Sequence, residues 1–114
     1  MLKLPMKGRP ADVLSDLAQF VSGTIGQKSV AKFCIGRTGD LDSALSRNKC
    51  DNILALYRAD RILNAIKVES SLIELLRDND KCANSKERRP GGGSRSSASY
   101  VYLAIWYNMS VVSR

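Results

Sequence analysis

The sequence predicts an α+β domain, a small three-stranded antiparallel or mixed sheet flanked by helices. Three observations lead there. Apolar residues recur at helical spacing in three stretches, short β-rich stretches alternate with them, and 114 residues of which 44% are hydrophobic suit one modest core. No segment repeats at a fixed period.

Residues 1–9 read as a loose basic tail carrying Lys3, Lys7 and Arg9, and residues 10–114 as a single domain. Pro10 suits a first helical turn, and Leu14, Leu17, Ala18 and Val21 form an apolar stripe. A packing helix is therefore expected over about 10–22, closing near Gly23. A strand over about 29–36 follows, with Val30, Lys32 and Cys34 on one face and Ala31, Phe33 and Ile35 on the other. It is expected to stop at Gly36, where residues 36–40 make a tight turn and Asp40 caps a short helix. Such a turn offers backbone N–H groups and Arg37 to an anion, although most strand–glycine–helix junctions are only connections. In the short helix Leu41, Ala44, Leu45 and Asn48 share the inward side, and Arg47 lies off it.

A turn at 50–52 leads to a second strand, Ile53 to Tyr57. The clearest helix spans about 59–78, with Ile62, Ala65, Ile66, Leu72, Ile73 and Leu76 as its buried stripe and Glu69 in the middle of it. An inward carboxylate needs a cation, a metal or a wet cleft, because desolvating it alone is costly. Residues 86–98 form a flexible basic loop with Arg88, Arg89 and Arg95, which reads equally as a linker and as an arm for phosphates. The loop lacks the Gly-Lys-Ser/Thr ending of a nucleotide P-loop. Tyr100 to Tyr107 alternates as a last strand, with Tyr100, Tyr102, Ala104 and Trp106 on one face.

Eighteen Lys and Arg against eleven Asp and Glu give a net charge of +7 and a pI near 9.6, which makes nucleic acid the leading partner. Histidine is absent, which removes Ser-His-Asp and Cys-His chemistry and His-ligated zinc. Cys34, Cys50 and Cys82 match no zinc spacing and read as reduced thiols of a cytoplasmic protein. No apolar run approaches bilayer length, and the first ten residues lack a signal peptide's apolar block.

Taken in order, Ile35-Gly36-Arg37-Thr38-Gly39-Asp40-Leu41, the strand ending at Tyr57, Glu69-Ser70-Ser71-Leu72-Ile73, Cys82-Ala83-Asn84, the glycine run and Tyr100-Val101-Tyr102 resemble the GIY-YIG nuclease superfamily. The likeness spans roughly residues 30–105 and lies in order and spacing more than in any one motif. In that family a strand ends in Tyr-Ile-Gly, the next helix carries an arginine, and a later helix supplies a glutamate that holds a divalent metal. The resemblance implies a Mg²⁺- or Mn²⁺-dependent DNA endonuclease with no small-molecule cofactor, and Glu69 as the metal ligand. The expected assembly is a monomer or weak homodimer; with one metal site a monomer would nick, and a double-strand break would need two protomers or two visits.

The chain departs from that pattern at three points. Cys34 replaces the Tyr-Ile-Gly tyrosine, no Gly-Ile-Tyr strand precedes it, and Ala44 stands where the helix arginine is expected. The tyrosine strand is then expected to be the last one, as in a permuted member, with Tyr102 or Tyr100 as the phenol. Ala44 suggests either a natural, degraded binder or an engineered substitution that silences a nuclease, unless Arg47 or Arg37 supplies the missing charge. Without histidine, tyrosine is the expected base, and its ordinary pKa near 10 requires nearby positive charge. Asn84 would orient a metal-bound water or cap the preceding helix. Lys32, Arg37, Arg88, Arg89 and Arg95 are the expected phosphate contacts. A non-catalytic nucleic-acid binder and a protein-binding inhibitor or adaptor are the alternatives. The resemblance also suggests a setting in phages or mobile elements and interference with foreign DNA.

Overall fold

Helices and strands alternate along the chain: α1 (Pro10–Ile25), β1 (Val30–Thr38), α2 (Leu41–Asn48), β2 (Asn52–Arg58), α3 (Ile62–Leu76) and β3 (Tyr100–Tyr107). The computed structural model describes residues 3–84 and 99–108. The basic loop expected over 86–98, with Arg88, Arg89 and Arg95, lies outside the described residues.

The three strands form one antiparallel sheet in the order β1-β3-β2, so the last strand is the central one. That position explains why Val101 to Ile105 are all buried. Their alternation sorts two cores. Phe33, Ile35, Leu56, Val101, Leu103 and Ile105 pack against Val13, Leu17 and Val21 of α1 and Ala65, Val68 and Leu72 of α3. On the opposite face Cys34, Tyr102 and Ala104 meet Ala44 of α2.

Several boundaries differ from the sequence expectation for local reasons. β1 does not stop at Gly36 but continues through Arg37 to Thr38, because β3 pairs with it to the end: Gly36 opposes Tyr102 and Thr38 opposes Tyr100. An irregularity between Val30 and Lys32 turns Val30 to the same core as Phe33 and Ile35, rather than to the face of Cys34. α1 runs past Gly23 to Ile25 before Gly26 ends it. In α3, Val68 is buried while Ile66 is 36% exposed, and Leu45 of α2 is likewise turned outward.

Both outer strands are covered along part of their length. Residues 3–9 are not a loose tail: Met6 bridges Tyr57, its N–H donating to Leu56 O (2.8 Å) and its carbonyl accepting from Arg58 N (2.9 Å). The Tyr57 hydroxyl donates to the Gly8 carbonyl, and burial pushes that phenol's pKa up, with a smaller upward push from Asp60. Along β1, Phe33 N donates to Lys81 O (3.0 Å) and Ala83 N to Phe33 O (2.7 Å). Such coverage blunts edges that would otherwise pair with another chain. No helix of the described residues is long and apolar enough to cross a membrane.

Candidate functional site

Glu69 occupies the buried stripe of α3, beside Val68 and one turn from Ala65 and Leu72. Arg37 is two residues past Ile35 on β1 and points to the same face, which brings the two together: Arg37 Nε donates to Glu69 Oε1 at 2.8 Å. Their side chains are 6% and 3% exposed. The inward carboxylate therefore finds its cation within the chain. Arg37, expected as a phosphate contact, is committed to this pair, while its Nη1 is buried with no hydrogen-bond partner among the described residues.

The pair also decides how Glu69 would receive Mg²⁺ or Mn²⁺. Magnesium commonly accepts one or two carboxylates and completes its shell with water and phosphate oxygens. Here the carboxylate is buried against a guanidinium, and no group of three Asp, Glu, Cys or His side chains gathers among the described residues. The arrangement as it stands does not fit a divalent cation, and Arg37 would have to leave first.

Tyr102 lies on the other face of the sheet. Its ring covers Gly36 of β1, and its hydroxyl accepts from Asn48 Nδ2 at 3.1 Å. The same Asn48 amide donates to Ala44 O at 2.8 Å, tying the phenol to α2. Ala44 is fully buried and Tyr102 is 2% exposed. The expected single cavity is thus divided: Tyr102, Cys34 and Ala44 cluster under α2, and Glu69 with Arg37 belongs to the α3 side.

Gly36 owes its identity to this packing rather than to a turn. A Cβ there would fall 2.5 Å from Tyr102 Cζ and closer still to the hydroxyl. Gly36→Ala is expected to destabilise the domain by about 1–3 kcal/mol through overpacking, read by urea denaturation, and Tyr102→Ala in the same chain should relieve the clash.

The start of α2 is not an open anion site. Asp40 Oδ1 accepts from the N–H groups of Asp42 (3.1 Å) and Ser43 (3.3 Å), and Oδ2 accepts from Ser43 Oγ (3.0 Å). The Ser43 hydroxyl, helped by these N–H groups and by Arg47, holds the Asp40 carboxyl below its usual pKa. A lowered folded value means that the cap's ionic contribution is complete above the unfolded pKa and is lost as pH falls through the folded one. Asp40→Ala should therefore lower the melting temperature at pH 7, with the gap to the parent narrowing below about pH 4 in a thermal scan.

The remaining expected residues have separate places. Asn84 does not cap α3: Ile35 N donates to its Oδ1 (2.7 Å) and its Nδ2 donates to Ile35 O (2.8 Å), fastening residues 81–84 to β1. Arg47 is exposed in the last turn of α2. Tyr100 is half-buried, with the Arg58 guanidinium 6.0 Å from its ring centroid. Lys32 is exposed and stands 4.6 Å over the Trp106 ring. Sequence reasoning passed over Asn48, whose only signal was an amide on the inward stripe of a short helix.

Compared with family models, curated proteins and solved structures, the chain matched none.

Proposed function

We propose that this chain is a DNA-binding domain on an endonuclease scaffold of the GIY-YIG kind, silent toward DNA cleavage as it stands. The supporting observation is that Gly36, Tyr102 and Ala44 meet in one buried cluster. These are the positions to which the resemblance assigns the glycine of Tyr-Ile-Gly, the phenol and the arginine. The central place of β3 beside β1 is what a permuted order of strands requires. The charge of +7 supplies the attraction to a phosphate backbone.

Silence follows from the side chains present. Ala44 puts no charge into the fully covered space beside Tyr102, where the family places its arginine. Arg37 and Glu69 occupy each other in a buried pair, so neither the guanidinium nor the carboxylate is presented to a phosphate or a metal.

A second reading is a degenerate binder that lost cleavage for good, and the division of Glu69 from Tyr102 across the sheet favours it. Ala44→Arg separates the two. Gain of Mg²⁺-dependent nicking of supercoiled plasmid supports a silenced enzyme, and a folded, inert variant supports the degenerate binder. Loss of salt sensitivity in DNA binding would remove both and favour an adaptor that binds protein.

A further inference from the structure

The sheet face under α2 has an end that the helix leaves uncovered. α2 spans only Leu41–Asn48, and past its C-terminus Trp106 is half-buried with Lys32 exposed above its ring. Lys32 and Trp106 are paired across β1 and β3, so the backbone itself fixes their approach. Trp106 Nε1 donates to the Lys49 carbonyl at 3.1 Å, which orients the indole and leaves its polar edge satisfied. Lys49, in the left-handed conformation at the helix end, and Arg47 in the last turn add two exposed cations. Asp51, two residues beyond Lys49, accepts from the Tyr107 N–H at 2.8 Å.

We propose that Trp106 is a stacking platform for an unpaired base of single-stranded nucleic acid, with Lys32, Lys49 and Arg47 as contacts for the flanking phosphates. The assignment rests on the nucleic-acid reading above and names the part of the surface that performs it. Every base has a π-face, so the open part of a half-buried indole among cations accepts any sequence. A base offers the indole far more overlap than one ammonium does, and the displaced Lys32 is then available to a phosphate. A duplex keeps its bases stacked inside and presents no such face, which favours a single strand. This end of the sheet is about 13 Å from Tyr102, four residues along β3 at about 3.3 Å each, and on the same face.

Trp106 is the chain's one tryptophan, so its emission reports directly on the site. Titration of the full chain with a short oligo-dT should quench that emission, with an affinity that falls steeply as salt rises. Trp106→Leu should weaken oligo-dT binding, followed by anisotropy of a labelled strand, by about tenfold, the size of one lost base–aromatic stack. Lys32→Ala and Lys49→Ala, at exposed positions, should each reduce the slope of log affinity on log salt by about 0.7. Salt-sensitive binding with unchanged emission and no effect of Trp106→Leu would overturn this site and leave nucleic-acid binding standing. A duplex that quenches as strongly as oligo-dT would overturn base stacking. Absence of salt-sensitive binding to any strand would overturn both the site and the reading beneath it.

Discussion

Glu69→Gln is expected to destabilise the domain by about 3–5 kcal/mol, because it leaves the Arg37 guanidinium buried without its counter-charge. Both side chains are more than nine-tenths covered, so little solvent screening softens the loss. For a domain with a stability of about 5–15 kcal/mol, that is a large share. Urea denaturation of the parent, Glu69→Gln and the double variant Arg37→Met with Glu69→Leu provides the check. The double variant should recover much of the loss, since replacing a buried pair by apolar groups of similar volume is often neutral or better. A Glu69→Gln protein as stable as its parent would mean that the carboxylate does not depend on Arg37 and that the buried pair is not what holds it inward.

If the chain is a silenced enzyme, the Ala44→Arg variant is expected to nick supercoiled plasmid in Mg²⁺. The substitution places a cation beside the Tyr102 hydroxyl, where Asn48 already fixes the phenol at 3.1 Å. Positive charge next to a phenol favours its ionised form and so its action as a base. The same change overfills a fully buried position and leaves a charge there without a counter-ion, so a stability loss of about 3–5 kcal/mol should accompany the gain. Circular dichroism and a melting curve on the same sample distinguish an unfolded variant from a folded, inactive one. If Ala44→Arg folds and stays inactive, the division between Tyr102 and Glu69 is sufficient to prevent cleavage.

The elements of the sheet were legible because period is a local property. Alternation in Tyr100 to Tyr107 and the apolar stripes of α1 and α3 each depend on a few neighbouring residues, and all appear as strand or helix. The inward direction of Glu69 was legible for the same reason. Its partner was not, since the candidates included every arginine in the chain, and only pairing of β1 with β3 turns Arg37 toward α3. Gly36 was misread as the end of a strand because glycine usually signals a turn. Here it makes room for a ring that arrives 66 residues later in the sequence, and no local pattern announces such a need. The division of the expected site has the same origin. Along one strand, residue parity separates Arg37 from Gly36, but which face receives α2 and which receives α3 is decided by connections between elements. Asn84 illustrates the limit: an amide just after a helix suggests a cap, whereas its two hydrogen bonds go to the Ile35 backbone.

Binding and cleavage measured together on one DNA test the account most directly. The chain as it stands, mixed with supercoiled plasmid in Mg²⁺, should retard the DNA at low salt, release it as salt rises, and leave it supercoiled throughout. Conversion of the plasmid to nicked or linear form by this chain, with Ala44 in place, would contradict the claim that it holds DNA without cutting it.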